Sequence, residues 1–281
     1  MKRKRFDFGR LLQAVILFGF SIYLIKLFGT GEIHKLVAPH IAALLKLTLG
    51  VLVVMTLYAL LTFFTKRSSC ECDHDHSHHH AHDHGQLNPV SLLLVVPVVL
   101  GLLVPTQALG VSKMKNGLQT LPKVDLSKVP REEASYVTKP PKPKEGSELS
   151  LADVAENILI APEYYFNRRF KFTGFVYHPD GWPSNRMILC RYLIACCAAD
   201  ASPIGIAVEM KDAAKYKNNS WVHIEGTIST RKIPQLDRIE ATNWYYGYPE
   251  KPVLFVHTIK QIKEPKDPYI YFTGLNVTGG N

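Results

Sequence analysis

Trp221-Val222-His223-Ile224-Glu225-Gly226-Thr227-Ile228 alternates apolar and polar side chains with a period of two. That period sets Val222, Ile224 and Ile228 on one face and His223, Glu225 and Thr227 on the other, as in a strand packed on one side. Four further runs in the same half carry strand signals. Phe170, Phe172, Gly174 and Val176 alternate with Lys171 and Thr173, and residues 187–196, 204–210 and 253–262 are rich in strand-forming side chains. Residues 212–217 read as a short helix between the third and fourth runs.

Three strands, a short helix and two more strands within about 115 residues is the order of an OB-like five-stranded barrel. Gly174 and Gly226 fall where such a small barrel must bend. A half-open β-sandwich shares the order. Upstream, Ser150 and Asp153 make a capping pair for a helix whose Leu151, Val154, Ala155 and Ile158 share a face. The soluble domain, all-β or α+β, is thus expected at 149–281. Residues 112–148 carry Pro122, Pro130, Pro140, Pro141 and Pro143 among charged residues and read as an extended linker.

Residues 1–111 are of another kind. Three apolar stretches, 11–28, 36–64 and 87–111, are each long enough to cross a hydrocarbon core of about 30 Å, and they lack a polar face. They define an α-helical membrane region of three spans, with the lipid bilayer as its first partner. The third stretch also resembles a signal-peptide core with a cleavage site at 105–108, although its internal position favours a retained span. Lys26, His40 and Lys46 interrupt the first two; Lys26 fits an interface anchor, His40 lies close to a helix end, and Lys46 is either partner-facing or outside a span that starts later.

A net charge of +9 would point to nucleic acid in a soluble chain. Here Lys2, Arg3, Lys4, Arg5 and Arg10 precede the first span, so the N-terminus is expected to be cytoplasmic and the C-terminal domain extracytoplasmic. Lys113 and Lys115 oppose that orientation, but long domains cross largely regardless of charge. An aromatic group, Trp244, Tyr245, Tyr246 and Tyr248 near Arg231, Lys232 and Arg238, resembles a single-strand or glycan platform. An outer location and the lack of a dense cationic cluster weigh against nucleic acid as a partner.

Between the second and third spans, residues 65–86 hold Cys70, Cys72, His74, His76, His78, His79, His80, His82 and His84. Imidazole and thiolate donors at this density suit divalent cations, zinc foremost, and nothing apolar is present to fold them into a rigid catalytic site. The loop reads as a cation collector. A solvated low-complexity linker that binds metal only incidentally is the plainer alternative.

The outer domain holds Cys190, Cys196 and Cys197, an odd number that leaves at least one thiol without a partner inside the domain. The segment from Arg191 through Cys196, Cys197, Ala199, Asp200, Ala201 and Pro203 resembles a signature of YcgQ-type bacterial membrane proteins, and residues 221–227 are similar to a second recurring stretch of that family. The resemblance covers the whole chain and implies an accessory role beside a membrane permease.

Strand alternation sets Cys190 and Cys196 roughly 20 Å apart along one face at 3.3 Å per residue, with Cys197 on the other face, so a shared site needs a bend. His178 and His223 are candidate additional ligands, and Arg191 shares the face of Cys197. Metal or thiol chemistry, core packing of small cysteines, and a simple disulfide all remain open for these residues. No phosphate loop, dinucleotide fingerprint, nucleophile elbow or His-Glu-x-x-His pair occurs, so no catalytic residues and no enzyme activity are expected. The leading reading is an accessory subunit of a metal or small-molecule permease; the alternative is a membrane-anchored thiol oxidoreductase using Cys196 and Cys197.

Overall fold

The computed structural model describes residues 8–65, 93, 95–104, 106–111, 140–245, 249–272 and 277–279. The His-rich loop, most of the linker, Tyr246 and Tyr248 lie outside them. The chain divides into two compact units, Met1–Ile33 with His40–Thr106, and His34–Pro39 with Gln107–Asn281.

In the first unit, α1 (Phe8–Thr30) and α2 (Pro39–Thr65) are 23 and 27 residues long. Leu11–Thr30 and Pro39–Thr62 have mean hydropathies of 2.1 and 2.2, enough with their length to cross a membrane. Phe18, Ile22 and Ile25 of α1 and Leu47, Val51, Val54 and Leu61 of α2 are exposed, as lipid-facing side chains would be. The few polar groups are satisfied locally. Ser21 Oγ donates to the Leu17 carbonyl at 2.9 Å, Thr56 Oγ1 donates to Leu52 at 2.7 Å, and the two hydroxyls are 3.4 Å apart.

The third helix, α3, is shown only over Val95–Leu103, so a third span is not shown among the described residues. Val104 is no longer helical, although the apolar run was expected to continue to 111. Pro105 accounts for the stop, because proline disfavours helical geometry in the residue before it and cannot donate a hydrogen bond. Lys26 Nζ donates to the Leu102 carbonyl at 3.2 Å, meeting one of the acceptors that every helix end leaves unpaired. Lys46 Nζ stands 5.8 Å over the Phe28 ring, a cation–π contact inside this unit.

The second unit is built on a closed five-stranded barrel: β1 (Arg169–Tyr177), β2 (Arg186–Ile194), β3 (Ser202–Glu209), β4 (Trp221–Arg231) and β5 (Lys251–Ile262). The strands close in the order β1-β2-β3-β5-β4-β1, with only β3 and β5 parallel. This is the OB arrangement expected from the run of strands, and closure excludes the half-open sandwich. Phe170, Phe172, Val176, Met187, Leu189, Ile206, Val208, Val222, Ile224, Ile228 and Leu254 fill the core. The contributors of β1 and β4 fall at every second position, as the period of two requires, with Gly174 and Gly226 at the two gaps.

At Gly226 the β4–β5 register shifts, and a Cβ there would stand 2.5 Å from the Phe255 carbonyl oxygen. Glycine lets the strand bend at that point. The helix α4 (Leu151–Asn157) opens with a reciprocal capping box, Ser150 and Asp153 each bonding the other's backbone, and adds Leu151, Ala152, Val154 and Ile158 to the barrel core. The expected helix between β3 and β4 is a single 3-10 turn, Ala213–Lys215.

Two short strands, β6 (Tyr269–Phe272) and β7 (Val277–Gly279), extend the sheet beyond β2. Leu109 and Val111 belong to this unit as well. The Leu109 amide donates to the Tyr269 hydroxyl at 3.0 Å and the Val111 amide to Asn219 Oδ1 at 2.7 Å.

Candidate functional site

Strand β2 ends at Ile194, and the chain then turns sharply through the 3-10 segment Ala198–Asp200. One side chain organises that turn. Asp200 accepts hydrogen bonds from three successive backbone amides, Ala195 to Oδ1 at 3.0 Å, and Cys196 and Cys197 to Oδ2 at 2.7 and 3.1 Å. A short carboxylate that reaches back to its own backbone is what stabilises a tight turn of this kind. The result is that Cys196 and Cys197, which on a straight strand would face opposite ways, hold their sulfurs 3.7 Å apart. Both sulfurs and an Asp200 oxygen lie within 4.8 Å of one another.

Cys196 is exposed and Cys197 half-buried; neither is bridged. The hydrogen bond to Asp200 and then that to Cys197 push the Cys196 thiol from 9.0 up to about 11. Burial alone would raise the Asp200 carboxyl, but the Cys196 thiol and the three amides outweigh it and hold the group below its usual value. The raised pKa keeps Cys196 a thiol at neutral pH, its proton shared between the Asp200 carboxylate and the Cys197 sulfur 3.7 Å away. A poised nucleophile has the opposite character, a depressed pKa beside a cation.

The turn has a backbone partner far away in sequence. Val37 and Cys197 form an antiparallel bridge, with the Ala38 amide donating to the Cys196 carbonyl at 2.9 Å and the Ala198 amide to the Leu36 carbonyl at 2.8 Å. Flanking contacts fix the same segment. The Tyr271 and Tyr269 hydroxyls donate to the carbonyls of His34 and Lys35 at 3.3 and 3.1 Å, and Lys35 pairs with Glu264 at 3.2 Å. The connection between α1 and α2 is thus part of the β unit that carries the two cysteines. Sequence reading assigned Leu36 to the second span and missed this pairing. Pro39 was the available signal, since proline favours the first position of a helix and α2 begins there.

The remaining candidates go elsewhere. Cys190 is fully buried in mid-β2, opposite Phe175 and Gly205, and burial pushes its thiol far up. It does not join Cys196 and Cys197, because β2 stays regular to Ile194 and the bend comes only afterwards. Gly205 makes room for it, since a Cβ at that position would lie 3.0 Å from the Cys190 sulfur.

Arg191 is also buried and clasps a loop. Its guanidinium donates to the carbonyls of Asp267, Pro268 and Tyr269 at 2.6, 3.3 and 3.0 Å, and burial draws its pKa down despite the opposing pull of Tyr271, Glu148 and Asp267. It braces the loop that leads into β6, and its guanidinium also stands 6.0 Å from the Trp221 ring. His178 Nε2 bonds the Tyr216 carbonyl at 2.7 Å, and His223 Nδ1 bonds Thr173 Oγ1 at 2.9 Å and faces Glu148 at 3.8 Å. Neither histidine reaches the cysteines.

The aromatic platform is overturned for its described members. Tyr245 is fully buried, and Trp244 packs edge-on against it while donating to the Gly205 carbonyl at 2.8 Å. Tyr245 belongs to the interior, and Trp244 is half-buried against the barrel core.

Two family models match the chain in order, the DUF1980 N-terminal domain over residues 12–117 and the DUF1980 C-terminal domain over 147–272. The chain belongs to the YcgQ-type family. Among its relatives, the UPF0703 protein YcgQ of Bacillus subtilis is 30% identical over 117 residues, 41% of this chain and 37% of that protein. The "Putative two-component membrane permease complex subunit" of Streptococcus mutans is 29% identical over 119 residues, 42% of this chain and 39% of that one. The aligned stretch therefore spans less than two-fifths of each of these relatives. A solved aspartyl-tRNA synthetase from Entamoeba histolytica overlaps with a TM-score of 0.24 at 10% identity, over 43% of this chain and 26% of that one, too slightly to bear on function. Within the YcgQ-type chain the signature residues split by role, Cys196, Cys197 and Asp200 forming the turn and Arg191 bracing the strand that leads to it.

Proposed function

We propose that the chain is a membrane-anchored subunit of a permease complex for a metal ion or another small solute, with its barrel as the extracytoplasmic receiving element. The observation that carries this reading is the pairing of the Cys196-Cys197 turn with residues 36–38. A ligand arriving at the turn sits on backbone that is hydrogen-bonded to residues 36–38, the stretch that joins the two apolar helices in sequence. The name of the Streptococcus mutans relative supports a permease partner.

In this reading α2 crosses the bilayer, so the His-rich loop after its far end faces the cytoplasm, in line with the basic N-terminus. The loop then collects divalent cations, zinc foremost, on the opposite side from the turn. Two apolar helices among the described residues are few for a translocation path, which supports a partner that supplies it. The thiol oxidoreductase alternative is disfavoured by the protonated state of Cys196.

The test is transport. The purified full chain reconstituted alone in liposomes carries no zinc flux above protein-free vesicles, whereas flux appears when the chain and its co-purifying permease are reconstituted together. Appreciable flux from the chain alone would make it the carrier and end the accessory-subunit reading.

A further inference from the structure

We infer that Cys196, Cys197 and Asp200 form an open, exchangeable site for a thiophilic divalent cation of the zinc class. The inference rests on the proposed function only in placing this turn outside the membrane as the receiving site; its chemistry comes from the turn.

Two thiolates bound to one tetrahedral zinc, each at about 2.3 Å, must lie about 3.8 Å apart. The Cys196 and Cys197 sulfurs are 3.7 Å apart, held there by a backbone turn rather than by packing against each other's surroundings. Adjacent cysteines on a regular strand could not meet this condition. The 3-10 turn and its three amide-to-carboxylate bonds create it.

Asp200 supplies the third donor, and its occupancy shows where the ion goes. An ionised carboxylate has about four acceptor positions. Three are used by the amides of Ala195, Cys196 and Cys197, and the Cys196 thiol lies beside the remaining position, both sulfurs and a carboxylate oxygen being within 4.8 Å of one another. The cation takes the place of that thiol proton, so the turn is already shaped for the ion and its amide bonds survive loading. Each ligating thiol releases one proton to solvent as its metal–sulfur bond forms, with no change in oxidation state.

The donor set selects the ion. Two thiolates and one carboxylate favour zinc and its soft neighbours over magnesium and calcium, which want oxygen ligands throughout. Three protein donors leave the fourth tetrahedral position for water or for a donor from a partner. Structural zinc sites instead close with four protein ligands. The exposure of Cys196 keeps that fourth position reachable, which suits ion hand-over rather than storage.

Cobalt(II) is the probe, added to the purified full chain in which Cys70 and Cys72 and the seven histidines at 74, 76, 78, 79, 80, 82 and 84 are replaced by serine to remove the competing loop. The expected result is one tetrahedral cobalt per chain with thiolate-to-cobalt charge transfer. About two protons should be released per ion, read from calorimetry in buffers of different ionisation enthalpy. Cys196→Ser and Cys197→Ser each abolish the charge-transfer spectrum, and Asp200→Asn, which removes the charge and one of the two acceptor oxygens, weakens binding at least tenfold, with unchanged circular dichroism confirming the fold. Zinc should displace the cobalt. A spectrum that survives Cys196→Ser, an octahedral spectrum without charge transfer, or oxidation of the two cysteines to a disulfide in place of cobalt binding would overturn the inference. Co-purification of a permease from native membranes, scored on the same chain, tests the broader reading independently, so an empty site with an intact complex and a loaded site without one are told apart.

Discussion

Replacing Asp200 with asparagine should lower the pKa of Cys196, and the size of the effect follows from how far that thiol is raised. The hydrogen bond from Cys196 to the Asp200 carboxylate is the main cause of a thiol pKa raised from 9.0 to about 11. Cys197 contributes second, so the variant should recover most but not all of that difference. At pH 8 a fall from about 11 toward 9.0 raises the thiolate fraction by up to about a hundredfold. Thiolates of lower pKa are intrinsically weaker nucleophiles, with a Brønsted slope of about 0.4–0.5 in thiol–disulfide exchange, which returns roughly a factor of ten. The net expectation at pH 8 is thus about a tenfold faster reaction of Cys196 with an aromatic disulfide reagent.

Above pH 11 the order reverses, because both forms are then ionised and the wild-type thiolate is the stronger nucleophile. The assay is a pH–rate profile from pH 6 to 12, with modification at Cys196 resolved by peptide mass spectrometry. A wild-type midpoint near 9, unmoved by Asp200→Asn, would refute the thiol–carboxylate bond on which the description of the turn depends.

Further expectations concern the frame around the turn. Arg191→Met strips the donors from three loop carbonyls and should cost about 3 kcal/mol, read by chemical denaturation of the full chain in detergent. A loss under about 0.5 kcal/mol would mean that the clasp is not formed. Gly226→Ala drives a Cβ toward the Phe255 carbonyl and should cost about 1–3 kcal/mol in the same assay, whereas a neutral result would show that β4 does not bend there. Tyr269→Phe removes a hydroxyl that accepts from the Leu109 amide and donates to the Lys35 carbonyl, so amide exchange at Leu109 should quicken; unchanged protection would sink that contact.

Much of the barrel was legible because its strands are written locally. Phe170, Phe172 and Val176 in β1 and Val222, Ile224 and Ile228 in β4 mark their buried face by alternation, and Gly226 marks the bend. The capping box at Ser150 was legible for the same reason. What was hidden depends on contacts distant in sequence. Strand β6 is four residues long and pairs with β2 where the buried Arg191 clasps the loop before it, which no local pattern announces.

The cysteine site was half legible. That Cys196 and Cys197 could share a site only across a bend was legible from strand alternation. The exclusion of Cys190 needed the fact that β2 stays straight to Ile194, and the exclusion of His178 and His223 needed their fixed partners Tyr216 and Thr173. Residues 34–39 were hidden by their own hydrophobicity, because Leu36, Val37 and Ala38 look like the beginning of a span and instead pair with the edge of the turn.

That pairing is the claim on which the functional account turns, and cross-linking tests it directly. Val37 and Cys197 face each other without mutual hydrogen bonds, the antiparallel position at which Cα atoms approach to about 4.5 Å and a disulfide can form without moving the backbone. In a Val37→Cys chain with Cys196→Ser, mild oxidation of native membranes should join the introduced thiol to Cys197 rapidly and nearly completely. If Cys197 stayed free under those conditions while remaining reactive to a small thiol reagent, the turn would not be paired with the connection between the two apolar helices, and the functional reading built on that pairing would be wrong.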